Sequence, residues 1–185
     1  YIQKNWCKLV TLPKKEDNKE VKVLTKQEQE KFLEAIKGHE LELLYIVALG
    51  TGLRIGEILG LKWSDIDFKN NELHVNRSLQ KAAIYEDDKI VRYEVPETTP
   101  KTKNSLRTIP VPQNIIKKLI AHKKEQNELI LLLQEEYDNK NYVFCNKLGK
   151  PIEDKRPGRN LKTILTSISI EPIKFHALRH TYATR

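Results

Sequence analysis

Residues 40–60 read ELELLYIVALGTGLRIGEILG, and their pattern sets the architecture. Residues 40–49 form a strongly apolar run that predicts a helix, with Gly50 expected to stop it. A short helix is then read over 54–60, before Trp63-Ser64-Asp65 turns the chain. Upstream, Thr25 offers a helix N-cap with Glu28 three residues on, and Phe32, Leu33 and Ile36 make an apolar stripe ending at Gly38, which predicts a helix over 26–37.

Downstream of Asp67 the period changes. Residues 72–78, 89–95 and 106–111 are short runs carrying Val, Ile, Tyr and Thr between turn-rich stretches, so three antiparallel strands in a meander are expected. The helical period returns over 113–136, read as one helix with a break, with Ile115, Ile116, Leu119, Ile120, Leu129, Leu132 and Leu133 on one side. A brief extended segment at 142–145, a turn at Gly149-Lys150-Pro151, a helix over 157–169 and another from His176 onward complete the pattern. The fold class is therefore α+β, mainly α-helical with a small three-stranded antiparallel sheet.

Residues 1–23, with the charged run Lys14 to Glu20 after Pro13, read as a linker, and residues 24–185 as one folded domain. The chain has 185 residues and 39% hydrophobic content, enough for a sizeable core. It holds no methionine, not even an initiator, so a piece of a longer protein is expected. Its apolar runs fall far short of the ~20 residues of a membrane span, and its two cysteines have no CxxC spacing. A soluble, cytoplasmic protein without a disulfide framework is expected. Against 25 Asp and Glu stand 33 Lys and Arg, giving a net charge of +8, and a basic excess attracts polyanions.

Three stretches hold residues that a packed core does not request. Thr51-Gly52-Leu53-Arg54-Ile55-Gly56-Glu57 starts a helix with an arginine; Pro100-Lys101-Thr102-Lys103-Asn104-Ser105-Leu106-Arg107 loads the loop before the last strand with cations; His176-Ala177-Leu178-Arg179-His180 places a histidine and an arginine three apart on a helix. Taken singly, Arg54 and Glu57 could be an intrahelical ion pair, Lys101 and Lys103 a solvated loop, and His180 a packing residue. His176 and His180 at i, i+4 lack the glutamate of HExxH and a third ligand, so no metal and no cofactor are expected. Jointly, the three list what phosphodiester cleavage requires. Two guanidiniums grip non-bridging oxygens, a lysine reaches the leaving oxygen, and a histidine manages protons near neutral pH.

The order TGLRIGE, then KT before a strand ending in IPV, then HALRHTYAT resembles the catalytic domain of the tyrosine recombinases, the phage-integrase family. The resemblance covers about residues 24–185. It implies that Arg54 and Arg179 are the catalytic arginines and His176 the catalytic histidine, with Glu57 and His180 supporting. It implies Lys101 as the catalytic lysine, with Lys103 as its rival, and Lys101, Lys103 and Arg107 as contacts to double-stranded DNA. Residues 1–23 would then be the tail of a preceding core-binding domain. In the family the nucleophilic tyrosine follows the HxxR box by several helical turns, so none is expected in this chain, Tyr182 included, and the domain is expected to be C-terminally incomplete. The implied activity is site-specific recombination through a covalent 3′-phosphotyrosyl intermediate, for integration or excision of a phage or mobile element. Full-length protein would act as a tetramer on paired sites and this piece would be a monomer. Topoisomerase IB-like strand passage and a non-catalytic DNA-binding remnant remain the alternatives.

Overall fold

A computed structural model describes residues 22–98 and 106–184. Helix α1 spans Lys26–Ala35, and its start is the expected capping box: the Glu28 amide donates to Thr25 Oγ1 at 3.2 Å while the Thr25 amide donates to Glu28 Oε2 at 2.8 Å. Loss of such a cap costs about 1 kcal/mol. Helix α2 spans Glu42–Thr51 and buries Leu44, Tyr45, Val47 and Ala48.

Gly50 does not stop α2, contrary to expectation. It lies within the helix, where a Cβ would come within 2.2 Å of Ile115 Cδ1, so its role is close approach to a neighbouring helix. The stop is Gly52, the C-cap, at φ +62° in the left-handed region that side chains resist. Helix α3 (Ile55–Leu59) restarts at once, with Arg54 as its N-cap residue.

Among the described residues seven short strands follow: β1 (Ile66–Asp67), β2 (Glu72–Val75), β3 (Ser78–Leu79), β4 (Ala82–Glu86), β5 (Lys89–Glu94), β6 (Glu97–Thr98) and β7 (Arg107–Pro110). An antiparallel three-stranded sheet does form, in the order β1-β2-β7, with Leu73 opposite Ile109 and Val75 opposite Arg107. The expected meander does not. Residues 89–94 pair with β4 in a separate hairpin, and β3 pairs with β6. The reason is local: Asp87 and Asp88 both adopt positive φ, 46° and 61°, which suits a two-residue hairpin turn whose closure costs less than a distant pairing. Tyr85, Ile90 and Val91 remain exposed on this hairpin. At its base, Arg77 pairs with the buried Asp65 and with Glu97, and Glu97 also takes Lys62 at 2.6 Å and the Tyr142 hydroxyl at 2.6 Å.

Helix α4 runs unbroken over Gln113–Leu133, and the interruption comes only at Gln134, where φ is +46°. Ile115, Ile116 and Leu119 are buried as expected, but Ile120 and Leu132 are exposed, the latter by 77%. The inward position farther along is polar: Gln126 accepts from Trp63 Nε1 at 2.5 Å and donates to the Tyr137 hydroxyl at 2.8 Å and the Tyr142 carbonyl at 3.0 Å. The extended segment around Tyr142 and Cys145 forms single bridges to Lys62 and Pro151.

Helix α5 (Arg156–Ser167) buries Leu161 and Leu165 and is tied to α2 by a 2.8 Å bond from the Tyr45 hydroxyl to the Pro157 carbonyl. Helix α6 (His176–Ala183) packs against α2 through Ala177, Leu178 and Thr181. Each fully buried Leu, Ile or Phe contributes about 1.5–3 kcal/mol. Among the described residues no helix is long and apolar enough to cross a membrane.

Candidate functional site

The αL turn at Gly52 reverses the backbone directly before Arg54, while the buried Leu53 pins the segment to the core. Arg54 is thereby delivered to the surface with its side chain 57% exposed. Glu57, one turn into α3, is only 6% exposed and folds back on the helix start: its Oε2 accepts from the Arg54 amide at 2.9 Å, and its Oε1 from Arg54 Nη1 at 3.1 Å.

The second arginine of this cluster comes from the sheet. Arg107 donates from Nη1 to Glu57 Oε1 at 3.0 Å and from Nη2 to Glu57 Oε2 at 2.8 Å, a fork on both carboxylate oxygens. Burial pushes the Glu57 carboxyl up, but the hydrogen bonds from Arg107 and the Arg54 amide and the Arg107 charge outweigh it and hold the carboxyl below the usual range.

Helix α6 brings the third stretch to the same place. Arg179 Nη1 donates to the Gly52 carbonyl at 2.6 Å, across 127 residues of chain. Beside it the Tyr182 ring lies over Gly52 so closely that a Cβ there would sit 2.4 Å from Tyr182 Cδ1. The second half of the helix is moored by Thr181, whose hydroxyl accepts from the Leu24 amide at 3.2 Å and donates to the Ala177 carbonyl at 3.0 Å. The His176 and His180 rings meet edge to face at 4.9 Å. Burial, then the charges of His180, Arg179 and Arg54, push the His176 imidazole below its ordinary value, so it is biased to the neutral form.

Of the residues singled out in the sequence, the structure gathers Arg54, Glu57, His176, Arg179 and His180 around the Gly52 turn. Lys101 and Lys103 lie outside the described residues. Arg107, expected to contact DNA, has its guanidinium on Glu57. That contact has a signal in the sequence: Arg107 and the buried Ile109 are two apart on β7, so they share its inward face. The Gly52 carbonyl carries no such signal. Among the described residues no group of three or more His, Cys, Asp and Glu side chains converges.

Two guanidiniums and an imidazole are the groups whose chemistry suits a tetrahedral oxyanion and the movement of a proton beside it. The chain is 41% identical over 193 residues to the tyrosine recombinase XerC-like protein of Caldanaerobacter subterraneus subsp. tengcongensis, covering 100% of this chain and 49% of that protein. It is 32% identical to the ICEBs1 integrase of Bacillus subtilis, covering 89% of this chain and 42% of the relative. The chain therefore spans about half the length of these curated relatives. Its fold superimposes on that of the Tn1549 transposon integrase in complex with a circular intermediate DNA at a TM-score of 0.72 with 25% identity, over 91% of this chain and 54% of that one. XerA recombinase shares the fold at a TM-score of 0.63 and 19% identity, over 88% of this chain and 49% of that one. The motif order, the 41% identical relative and a family model matching residues 22–185 place the chain in the phage integrase family.

Proposed function

We propose that this chain is the phosphate-activating part of a site-specific DNA recombinase that cuts and rejoins double-stranded DNA for integration or excision of a phage or mobile element. The observation that carries the reading is that Arg179 bonds the carbonyl of Gly52, two positions before Arg54, so that one turn brings together the two arginines of distant motifs. Relatives named as a recombinase and an integrase, and a structural neighbour held on DNA, support it.

In this mechanism Arg54 and Arg179 hold the non-bridging oxygens of the scissile phosphate and stabilise the charge that builds there. A tyrosine oxygen attacks phosphorus, the bond to the 5′ oxygen breaks, and a 3′-phosphotyrosyl link conserves the bond energy for rejoining. Lys101, with Lys103 as its rival, gives the leaving 5′ oxygen its proton, and His176 assists proton transfer. His180 packs edge to face on His176 and fixes its ring. Tyr45, Tyr137 and Tyr142 are buried with hydrogen-bonded hydroxyls, and burial raises each phenol well above its ordinary value, so they are poor nucleophiles. Tyr182 packs its ring edge on Gly52 and lies three residues after Arg179 on the same helix, not several helical turns beyond it. The attacking tyrosine comes from outside this chain, and residues 1–23 link to a preceding core-binding domain. Full-length protein assembles as a tetramer on paired sites, while this chain alone is monomeric.

The test is covalent adduct formation by full-length protein on a nicked suicide duplex. Arg54→Ala and Arg179→Ala each abolish the adduct; an undiminished adduct in either refutes the reading.

A further inference from the structure

Glu57 is buried, so its charge has to be answered inside the protein, and four donors answer it: the Arg54 amide and Nη1, and both terminal nitrogens of Arg107. The two arginines do not share it equally. Arg107 takes the forked position, one nitrogen on each oxygen, with its side chain 27% exposed. Arg54 contributes a single guanidinium nitrogen and keeps its side chain 57% exposed, and among the described residues its Nε and Nη2 have no protein acceptor.

We infer that Arg107 is a positioning residue for Arg54: by occupying the fork on Glu57 it keeps Arg54 from turning fully onto that carboxylate, and so leaves the outer donors of Arg54 directed at the phosphate. The physical basis is competition. Glu57 and Arg54 are three apart at a helix start, close enough for Arg54 to fork onto the carboxylate itself. With Arg107 gone, a buried carboxylate keeps one side-chain partner, and the nearest cation able to complete its shell is Arg54. The brace also comes from β7, 50 residues away in sequence, which joins the sheet to the start of α3. This inference rests on the recombinase reading, because it assigns a consequence to how Arg54 points.

The experiment measures, in full-length protein, both DNA affinity across a range of salt and the single-turnover rate of adduct formation at saturating suicide duplex. Arg107→Ala is expected to slow adduct formation by about tenfold or more while affinity changes by less than about threefold and the salt dependence is kept. Arg107→Lys, a charge without a fork, falls between. The double variant Glu57→Gln/Arg107→Met removes the buried charge together with the fork. It is expected to recover a rate within about fivefold of the unsubstituted protein, since an uncharged amide no longer draws Arg54 inward. A phosphate-contact role predicts the reverse pattern, weaker binding with a salt slope reduced by about one and an unchanged rate at saturation, and that result overturns the inference. A folded double variant as slow as Arg107→Ala also overturns it. Arg54→Ala in the same assay separates the two levels: if it cleaves normally the recombinase reading fails, and if it is inactive while Arg107→Ala cleaves normally, only the role of Arg107 fails.

Discussion

The carbonyl oxygen of Gly52 accepts a 2.6 Å hydrogen bond from Arg179 Nη1, so the turn that launches one arginine also aims the other. Arg54 follows Gly52 by two positions, and Arg179 follows it by 127. The glycine meets three demands at once: a left-handed backbone, close contact with the Tyr182 ring, and a carbonyl pointed at α6.

Gly52→Ala is therefore expected to destabilise the fold. A side chain at φ +62° costs about 1–2 kcal/mol, and the new Cβ would also press on Tyr182 Cδ1 from 2.4 Å. Denaturant unfolding should show a loss of at least that size. Adding Tyr182→Ala should return the part due to the clash and leave the backbone part in place. A single alanine variant as stable as the parent would sink this account.

Arg54, His176 and Arg179 stood out in the sequence because their chemistry has no use in a core, and helices do start at or beside them, α3 at Ile55 and α6 at His176. The sheet was legible only in part. Its composition marked the strands, but pairing depends on turn geometry, and Asp87-Asp88 closed a hairpin that a composition reading passes over. Gly50 and Gly52 illustrate a second limit. Two glycines two positions apart offer the same stop signal, and only the structure, with Ile115 packed on the first and a left-handed φ at the second, shows which one ends the helix. Leu132 is apolar yet exposed, while the inward position at 126 is a glutamine that joins Trp63, Tyr137 and Tyr142, so hydrophobicity alone misplaced part of α4. A cation beside a lysine-rich loop, as Arg107 is, reads as a DNA contact, and that reading passes over the fork its guanidinium also makes onto Glu57.

Acid stability reports on that same carboxylate. The folded state holds Glu57 below its ordinary value, through hydrogen bonds and charge from Arg107 and Arg54 that overcome burial. For a carboxyl with a depressed folded pKa, the stabilisation is complete above the unfolded value of about 4.3 and disappears as pH falls through the folded value. Unfolding free energy measured from pH 6 down to pH 3 should fall less steeply in Glu57→Gln than in the parent. The variant should be the weaker of the two at pH 6, with the gap narrowing toward pH 3. Parallel curves would show that Glu57 is not held as described.

The neutral bias of His176 can be read directly. Burial, His180, Arg179 and Arg54 all disfavour its charged form, so its folded pKa lies below the value of about 6.5 that an unfolded histidine has. Between the two values the unfolded chain binds more protons, so stability contributed by this group is full above the unfolded value and declines as pH drops toward the folded one. An NMR titration of the His176 Cε1 proton should give a midpoint below 6.5, and removing either neighbouring guanidinium, by Arg179→Ala or Arg54→Ala, should raise it. Both arginines must act for the site to be one site. A midpoint unmoved by Arg54→Ala would mean that its charge does not reach the imidazole.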